Sequence, residues 1–308
     1  MTCGICPRHC PVDHSRSAGS FSLPRGGFCG GGEAAAGVVV AKTMLHHWEE
    51  PPISGTRGSG AVFFAGCNLR CVYCQNHAVS REPRGRSFLP QELAGLFLDL
   101  EALGAHNINL ITPTPALAGL VPALETAKCA GLSIPVVYNT SAYETPAALR
   151  RLEGLADVYL PDLKYRDDAL ASRFSAAPGY FEAAAAAILE MHRQTGDLRL
   201  DGEGLAVRGL LIRHLVLPGQ RKDSMAVLDW IRATLPDTAV SLMAQYTPTE
   251  DARRLGGPLA RRLTAFEYQS VVDHFFAVGL RRGYMQQRDA AQENYTPDFP
   301  AEKTTRQK

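Results

Sequence analysis

From Ala61 onward, short apolar runs alternate with longer stretches in which apolar residues return every three or four positions. The runs predict buried strands at Ala61–Ala65, Ile108–Ile111, Ile134–Tyr138, Val158–Leu160, Leu210–Leu217 and Val240–Met243. The intervening stretches predict helices over Pro90–Leu103, Leu117–Ala130, Pro146–Leu152, Tyr180–Arg193 and Ser224–Thr234, with a last helix over Ala265–Val278. Pro90 suits a first helical position, Gly104 and Gly131 suit helix ends, and the alanines at Ala183–Ala187 favour helix by propensity. Strands alternating with helices in this way predict an α/β fold with a parallel sheet and right-handed crossovers, either open or curved into a partial barrel. In both architectures function belongs at the C-terminal ends of the strands.

The flanks lack this alternation. Residues 1–60 are rich in Gly, Cys and Pro and offer one strand, Gly37–Lys42. Gly55-Thr-Arg-Gly-Ser-Gly60 reads as a flexible boundary, and Glu250–Pro258 as a surface loop. The expected division is a cysteine-rich segment (1–60), an α/β core (61–284) and an irregular tail (285–308).

Composition narrows the function. The 308 residues carry 32 basic and 31 acidic side chains, a net charge of +1, which gives no reason to expect nucleic acid or an anionic membrane as partner. No apolar stretch approaches the ~18 residues of a spanning helix. The N-terminus lacks the charged and apolar regions of a signal peptide, so a cytoplasmic location is expected. In that compartment eight cysteines, all but Cys129 in two tight groups, read as metal ligands rather than disulfides. Cys129 falls in a helix and reads as an ordinary buried thiol.

The second group carries the chemistry. Cys67, Cys71 and Cys74 form C-x3-C-x2-C directly after the first core strand, with Tyr73 before the last cysteine. Three close thiolates can hold a four-iron cluster and leave one iron without a protein ligand, which makes a site reactive rather than structural. A structural zinc loop would want a fourth ligand, and His77 is the nearest.

The run Phe64-Ala-Gly-Cys-Asn-Leu-Arg-Cys-Val-Tyr-Cys-Gln-Asn76 resembles the signature of the radical S-adenosylmethionine (SAM) superfamily. The resemblance implies a partial (β/α)6 TIM-like barrel and a [4Fe-4S] cluster on Cys67, Cys71 and Cys74. It also implies that the amino and carboxylate groups of SAM chelate the open iron. One electron, from a flavodoxin- or ferredoxin-type donor, would split SAM into methionine and a 5′-deoxyadenosyl radical that abstracts hydrogen from the substrate. Tyr73 would pack near the adenine.

Within the superfamily, the chain looks most like the PflX-type branch, labelled by analogy with pyruvate formate-lyase activating enzyme. The likeness rests on Cys3-Gly-Ile-Cys-Pro-Arg-His-Cys10, His47–Gly55, Asn107–Thr114, Tyr138-Asn-Thr140, Pro161-Asp-Leu-Lys164, Ile212–Gly219 and Met243-Ala-Gln-Tyr246. Where glycyl-radical activating enzymes end their third strand in Asp-Thr, this chain has Asn139-Thr140; their Asp-x-Lys corresponds to Asp162-Leu-Lys164. Their Arg before a Val-Pro-Gly turn corresponds to Arg213 before Leu217-Pro-Gly219. By this likeness Thr140 and Asp162 would offer oxygens to a monovalent cation, to which Asn139 brings no charge. Lys164 and Arg213 would meet the SAM carboxylate or ribose. Thr112-Pro-Thr-Pro115 replaces the Gly-Gly-Glu-Pro that touches the SAM amino group. Thr112 and Thr114 could accept from an ammonium, or could cap the following helix.

Cys3, Cys6, Cys10 and Cys29 form C-x2-C-x3-C-x18-C with a glycine-rich return. They predict a closed four-thiolate site that folds the N-terminal segment, holding structural zinc or an auxiliary iron–sulfur cluster. His9 and His14 are read as surface residues. His46–Glu50 either lines the substrate opening or forms a packed Trp with a solvated acidic turn. Alternation on a strand should turn Arg213 and His214 to opposite faces. Gln245 and Tyr246 end the last strand, where they could meet substrate.

The expected activity is therefore reductive SAM cleavage for hydrogen abstraction, with installation of a glycyl radical on a partner protein as its target. Radical modification of a small molecule or peptide is the alternative within enzymes. A non-catalytic iron–sulfur electron carrier or zinc-binding scaffold is the alternative outside them.

Overall fold

A computed structural model describes residues 3–11, 27–29, 37–81 and 84–286. The expectations for His14 and for the tail from residue 287 lie outside the described residues. The chain enters on β1 (Val38–His46), passes a short α1 (Pro51–Ser54) and forms β2 (Ser59–Phe64), α2 (His77–Ser80) and β3 (Arg86–Phe88). The repeating part follows as α3 (Pro90–Ala102), β4 (Ile108–Ile111), α4 (Leu117–Cys129), β5 (Val136–Thr140), α5 (Pro146–Leu149) and β6 (Val158–Pro161). Two helices, α6 (Asp168–Ser175) and α7 (Tyr180–Thr195), then precede β7 (Arg199–Leu200) and β8 (Ala206–Leu215). The chain closes with α8 (Arg221–Thr234), β9 (Ala239–Met243), α9 (Glu250–Leu255), α10 (Ala265–Ala277) and β10 (Gly283–Met285).

The strands form one sheet in the order β10-β9-β8-β6-β5-β4-β2-β1-β3, with β7 beside β8. From β2 to β10 all neighbours are parallel. β1 runs antiparallel to β2, and β3 antiparallel to β1. The sheet stays open, because β10 and β3 are its two edges and do not pair. The mixed α/β fold with its central parallel sheet is that of a partial barrel.

Period-two alternation gives the sheet two faces. Ile108, Leu110, Val136, Tyr138, Tyr159, Leu210, Ile212, Val240 and Leu242 join the large core shared with the helices. Val137, Val158, Leu160, Leu211 and Ala239 have the opposite parity and pack on Ile53 in a smaller cluster. The same parity continued toward the strand ends brings Asn139, Asp162, Arg213 and Met243 around one cavity. The smaller face is thus an apolar plug below and a polar rim above.

Several expectations change. Glu250–Pro258 is not a plain loop, since it contains α9, capped by the Thr249 hydroxyl on the Ala252 amide. Six residues are too few to show a helical period. Ser59 and Gly60 are buried strand residues, not a flexible boundary. Gly60 is there for space, because a Cβ would lie 2.9 Å from the Asn107 carbonyl oxygen. The strand expected at Ile134–Tyr138 begins at Val136, since Pro135 brings no N–H to the ladder. Met285 belongs to β10 rather than to an irregular tail. Cys129 ends α4 with its side chain exposed rather than buried. No described helix is long and apolar enough to cross a membrane.

Candidate active site

The cysteine loop leaves β2 through Gly66, whose φ of +86° lies in the left-handed region. A Cβ there would overlap the Cys29 carbonyl oxygen, so the loop and the N-terminal thiol segment touch at this glycine. The loop then docks on the end of α6. The Arg70 amide donates to the Ser175 carbonyl at 2.9 Å, and the Val72 amide to that of Phe174 at 2.8 Å. Arg70 Nη1 ties the turn by donating to the Cys67 carbonyl at 2.7 Å. Thr249 donates its hydroxyl to the Val72 carbonyl from the other side.

Cys67, Cys71 and Cys74 face one cavity at the C-terminal ends of the parallel strands. Tyr73, Thr112, Asn139, Thr140, Asp162, Lys164 and Arg213 line the same cavity. The structure therefore brings these seven residues to the cavity that the three thiols line, but not Thr114. Burial pushes the Cys67 thiol up to about 12, helped by the neighbouring Cys71 and Cys74. Burial also raises Cys71, against the opposing charge of Lys164. Thiols this reluctant to ionise alone are suited to ligation by a group that brings its own positive charge.

Behind the thiols sits an ionic network. Arg213 donates from Nε to Asp162 at 2.8 Å, from Nη1 to Glu49 at 3.0 Å and from Nη2 to Asn139 at 2.7 Å. Lys164 Nζ donates to the other Asp162 oxygen at 2.6 Å. Glu49 also accepts from Asn109 at 3.0 Å and Asn139 at 3.3 Å. Burial alone would raise Asp162, but Arg213 and Lys164 outweigh it and hold the carboxyl below its ordinary value. Burial alone would lower Arg213 and Lys164, and the carboxylates outweigh it in both. Asp162, Lys164 and Arg213 thus hold one another in their charged forms.

Three of the five Arg213 N–H groups are bound to protein acceptors. Lys164 spends one of its three donors on Asp162. Thr112 lies on the cavity with φ of +20°. Thr114 lies elsewhere, in the short turn Thr114–Ala116 beside the N-terminal cysteines. Neither caps the next helix, because the N-cap of α4 is Ala116 with no side-chain cap bond. Tyr73 is buried, with its hydroxyl 2.5 Å from that of Tyr165.

Of His46–Glu50, for which lining the opening was one of two readings, Glu49 lines the cavity and enters the ionic network. The acidic turn reading fails for it, since its side chain is 11% exposed and paired with Arg213. Trp48 lines the cavity at 58% exposure, whereas His46 lines it while buried. The density of His, Trp and Glu before Pro51 was the signal available. Gln245 and Tyr246 also line the cavity, and His77 is exposed. His214 turns away as expected, fully buried between the Leu163 carbonyl and the Ser224 hydroxyl.

Cys3, Cys6, Cys10 and Cys29 line a second, small cavity with Asn68 and Thr114. Cys3 donates its amide to the Cys10 carbonyl at 2.8 Å, which folds the knuckle. Arg8 stacks on Phe28 and donates from Nε to the Asn68 carbonyl at 2.7 Å, fastening the knuckle to the cluster loop. His9 is exposed. Among the described residues, no group of three His, Cys, Asp or Glu is placed to hold a single metal ion. The loop thiols instead surround a shared cavity, where each could meet a separate iron of one cluster.

The family model for the radical SAM superfamily matches residues 61–231, more than half of the chain. The chain belongs to the radical SAM superfamily. Membership implies an enzyme with a [4Fe-4S] cluster and SAM, and the donor set on the cavity fits both. An uncharacterized protein of Methanocaldococcus jannaschii is 27% identical over 281 residues, covering 88% of this chain and 73% of its own length. Streptococcus suis SuiB, solved bound to S-adenosylmethionine, has a TM-score of 0.49 at 12% identity over 72% of this chain. A second SuiB structure gives 0.47 at the same identity. The chain spans about half the length of SuiB.

Proposed function

We propose that this enzyme cleaves SAM reductively on a cluster held by Cys67, Cys71 and Cys74, and uses the radical to abstract hydrogen from a second substrate. The observation that carries the reading is the convergence of three thiols, Lys164 and the Asp162–Arg213 pair on one cavity at the active end of a parallel sheet. When bound, the cluster supplies the electron that splits SAM, delivered from a flavodoxin- or ferredoxin-type donor. Lys164 holds the SAM carboxylate. Asp162 keeps Lys164 charged and aimed, and Arg213 keeps Asp162 ionised. Thr112 and Thr140 offer oxygens to the SAM ammonium or to a cation beside it, and Asn139 orients Arg213. Tyr73 closes the adenine side.

For the target we favour a glycyl radical on a partner protein. Support comes from Asp162-Leu-Lys164 and Arg213 before the Pro218-Gly219 turn, which follow the activating-enzyme pattern. Thr112–Pro115 departs from it, and radical modification of a small molecule or peptide is the competing target. We take the sheet from β2 to β10 with its helices as the catalytic core, and the described residues 3–11 and 27–29 as a metal-binding segment packed on it. In this reading Cys3, Cys6, Cys10 and Cys29, which line one small cavity, are the ligand set for an iron–sulfur cluster, or for zinc once they draw closer together.

Anaerobic reconstitution followed by dithionite and SAM tests the core of this reading. The expected products are methionine and 5′-deoxyadenosine, with both lost in Cys71→Ala. A fully iron-loaded protein that yields no 5′-deoxyadenosine would sink it. For the target, a glycyl-radical signal on a co-incubated partner protein supports activation. Deuterium transfer from a small molecule into 5′-deoxyadenosine would support the competitor.

A further inference from the structure

Each thiol of the cluster loop has a hydrogen-bonding neighbour. The Leu69 amide donates to Cys67 Sγ at 3.4 Å, and Ser80 Oγ lies 3.6 Å from Cys74 Sγ. Both belong to the loop or to α2 just after it. The neighbour of Cys71 is different. Ser175 Oγ, at the end of α6 and 104 residues away in sequence, lies 3.0 Å from Cys71 Sγ. Ser175 is fully buried.

Behind Ser175 the contacts continue. Tyr165 Oη is 2.7 Å from Ser175 Oγ, and Tyr73 Oη is 2.5 Å from Tyr165 Oη. A metal-bound thiolate carries no proton, so Ser175 must be the donor to it. Each hydroxyl has one proton to give. Ser175 therefore accepts from Tyr165, and Tyr165 accepts from Tyr73. One direction is forced along the whole chain, Tyr73 to Tyr165 to Ser175 to Cys71. Tyr165 is wedged edge-on to Tyr180 and against Phe174, with no exposure, which fixes its hydroxyl in place. In such a dry setting successive hydrogen bonds polarise one another.

A donor on a ligating sulfur withdraws electron density and stabilises the more negative, reduced cluster. We propose that Ser175, backed by Tyr165 and Tyr73, is a positioning residue that raises the reduction potential of the cluster on Cys67, Cys71 and Cys74. The inference rests on the reading of those cysteines as cluster ligands. Its consequence is a balance: a higher potential eases electron entry from the donor protein and lowers the driving force passed on to SAM.

The test is a reductive titration of the anaerobically reconstituted full chain, followed by the electron paramagnetic resonance of the reduced cluster. Iron and sulfide contents are matched between variants. Ser175→Ala should lower the midpoint potential by the equivalent of about tenfold in the reduction equilibrium, ~59 mV for a one-electron couple. Tyr165→Phe keeps the Ser175 donor but not its backing, so it should shift the potential in the same direction by less. Tyr73→Phe should shift it least, and Ser175→Thr, which keeps the hydroxyl, should restore the wild-type value. A loaded Ser175→Ala with unchanged potential overturns the inference alone. Should Ser175→Ala fail to hold iron, an unchanged potential in Tyr165→Phe overturns it. A wild-type protein that forms no cluster overturns the underlying reading and the inference together.

Discussion

Glu49 Oε2 lies 3.0 Å from Arg213 Nη1, so a carboxylate from beside the antiparallel strand closes a network otherwise supplied by the parallel strand ends. Glu49→Ala would take away the acceptor of Arg213 Nη1 and leave that buried N–H without it. Breaking a buried pair costs about 3–5 kcal/mol. The low end applies here because Asp162 stays with Arg213. Urea unfolding of Glu49→Ala should show a loss of about 3 kcal/mol, and a change below about 1 kcal/mol would mean the pair is solvent-screened.

Lys164 has donors to spare beside Cys71, and it is the cation we assign to the SAM carboxylate. A hydrogen bond to a charged group contributes about 1.5–3 kcal/mol, so Lys164→Met should weaken SAM binding roughly 10- to 100-fold. Lys164→Arg should recover part of that. Anaerobic calorimetry on cluster-loaded protein measures it. Equal affinity in the Met variant would move the carboxylate contact elsewhere.

Gly66 combines a left-handed φ with the Cys29 carbonyl against its α-carbon. Gly66→Ala should disturb both cysteine groups together, reducing iron retained at the loop and metal retained at the knuckle. Gly95, inside α3 with nothing near its missing Cβ, is the contrast. Gly95→Ala should be neutral or stabilising by up to about 1 kcal/mol. Metal analysis alongside thermal melting separates the two, and full metal retention in Gly66→Ala would contradict the steric argument.

His214 provides the pH dependence. Its Nδ1 faces the Leu163 carbonyl at 2.7 Å and therefore carries the proton, leaving Nε2 to accept from Ser224 at 2.8 Å. Burial lowers its pKa from 6.5 to about 4, with the Lys164 charge acting the same way and the Leu163 bond opposing. Between these values the unfolded chain binds the proton and the folded chain does not. Stability from this residue is therefore complete above pH 6.5 and falls toward pH 4, by up to ~1.4 kcal/mol per unit. His214→Gln should flatten that limb of a stability–pH curve. An unchanged slope would assign the limb to another group.

Much of the fold was legible because local chemistry repeats. Ile108–Ile111 reads as a buried strand and is one, and Pro90 starts α3 where a missing N–H costs nothing. Elements too short for a period were not legible, as with α6 and α9. Burial of single residues was not legible either. Cys129 is apolar enough for a core, yet the last turn of α4 leaves it in water.

The sequence by itself determined the donor set: three thiols at fixed spacing after a strand, and the parity that turns Asn139, Asp162 and Arg213 to one face while His214 turns away. Spacing and parity are properties of a few consecutive residues, so they survive without knowledge of the rest. Tertiary structure alone decided that Glu49 meets Arg213, that Ser175 meets Cys71, and that the knuckle of Cys3–Cys10 rests on the cluster loop. Those partners come from separate elements, and sheet order and helix docking choose which of them meet. The Ser175–Cys71 contact exists because the end of α6 carries the loop on its backbone carbonyls, and no local pattern in either segment encodes that.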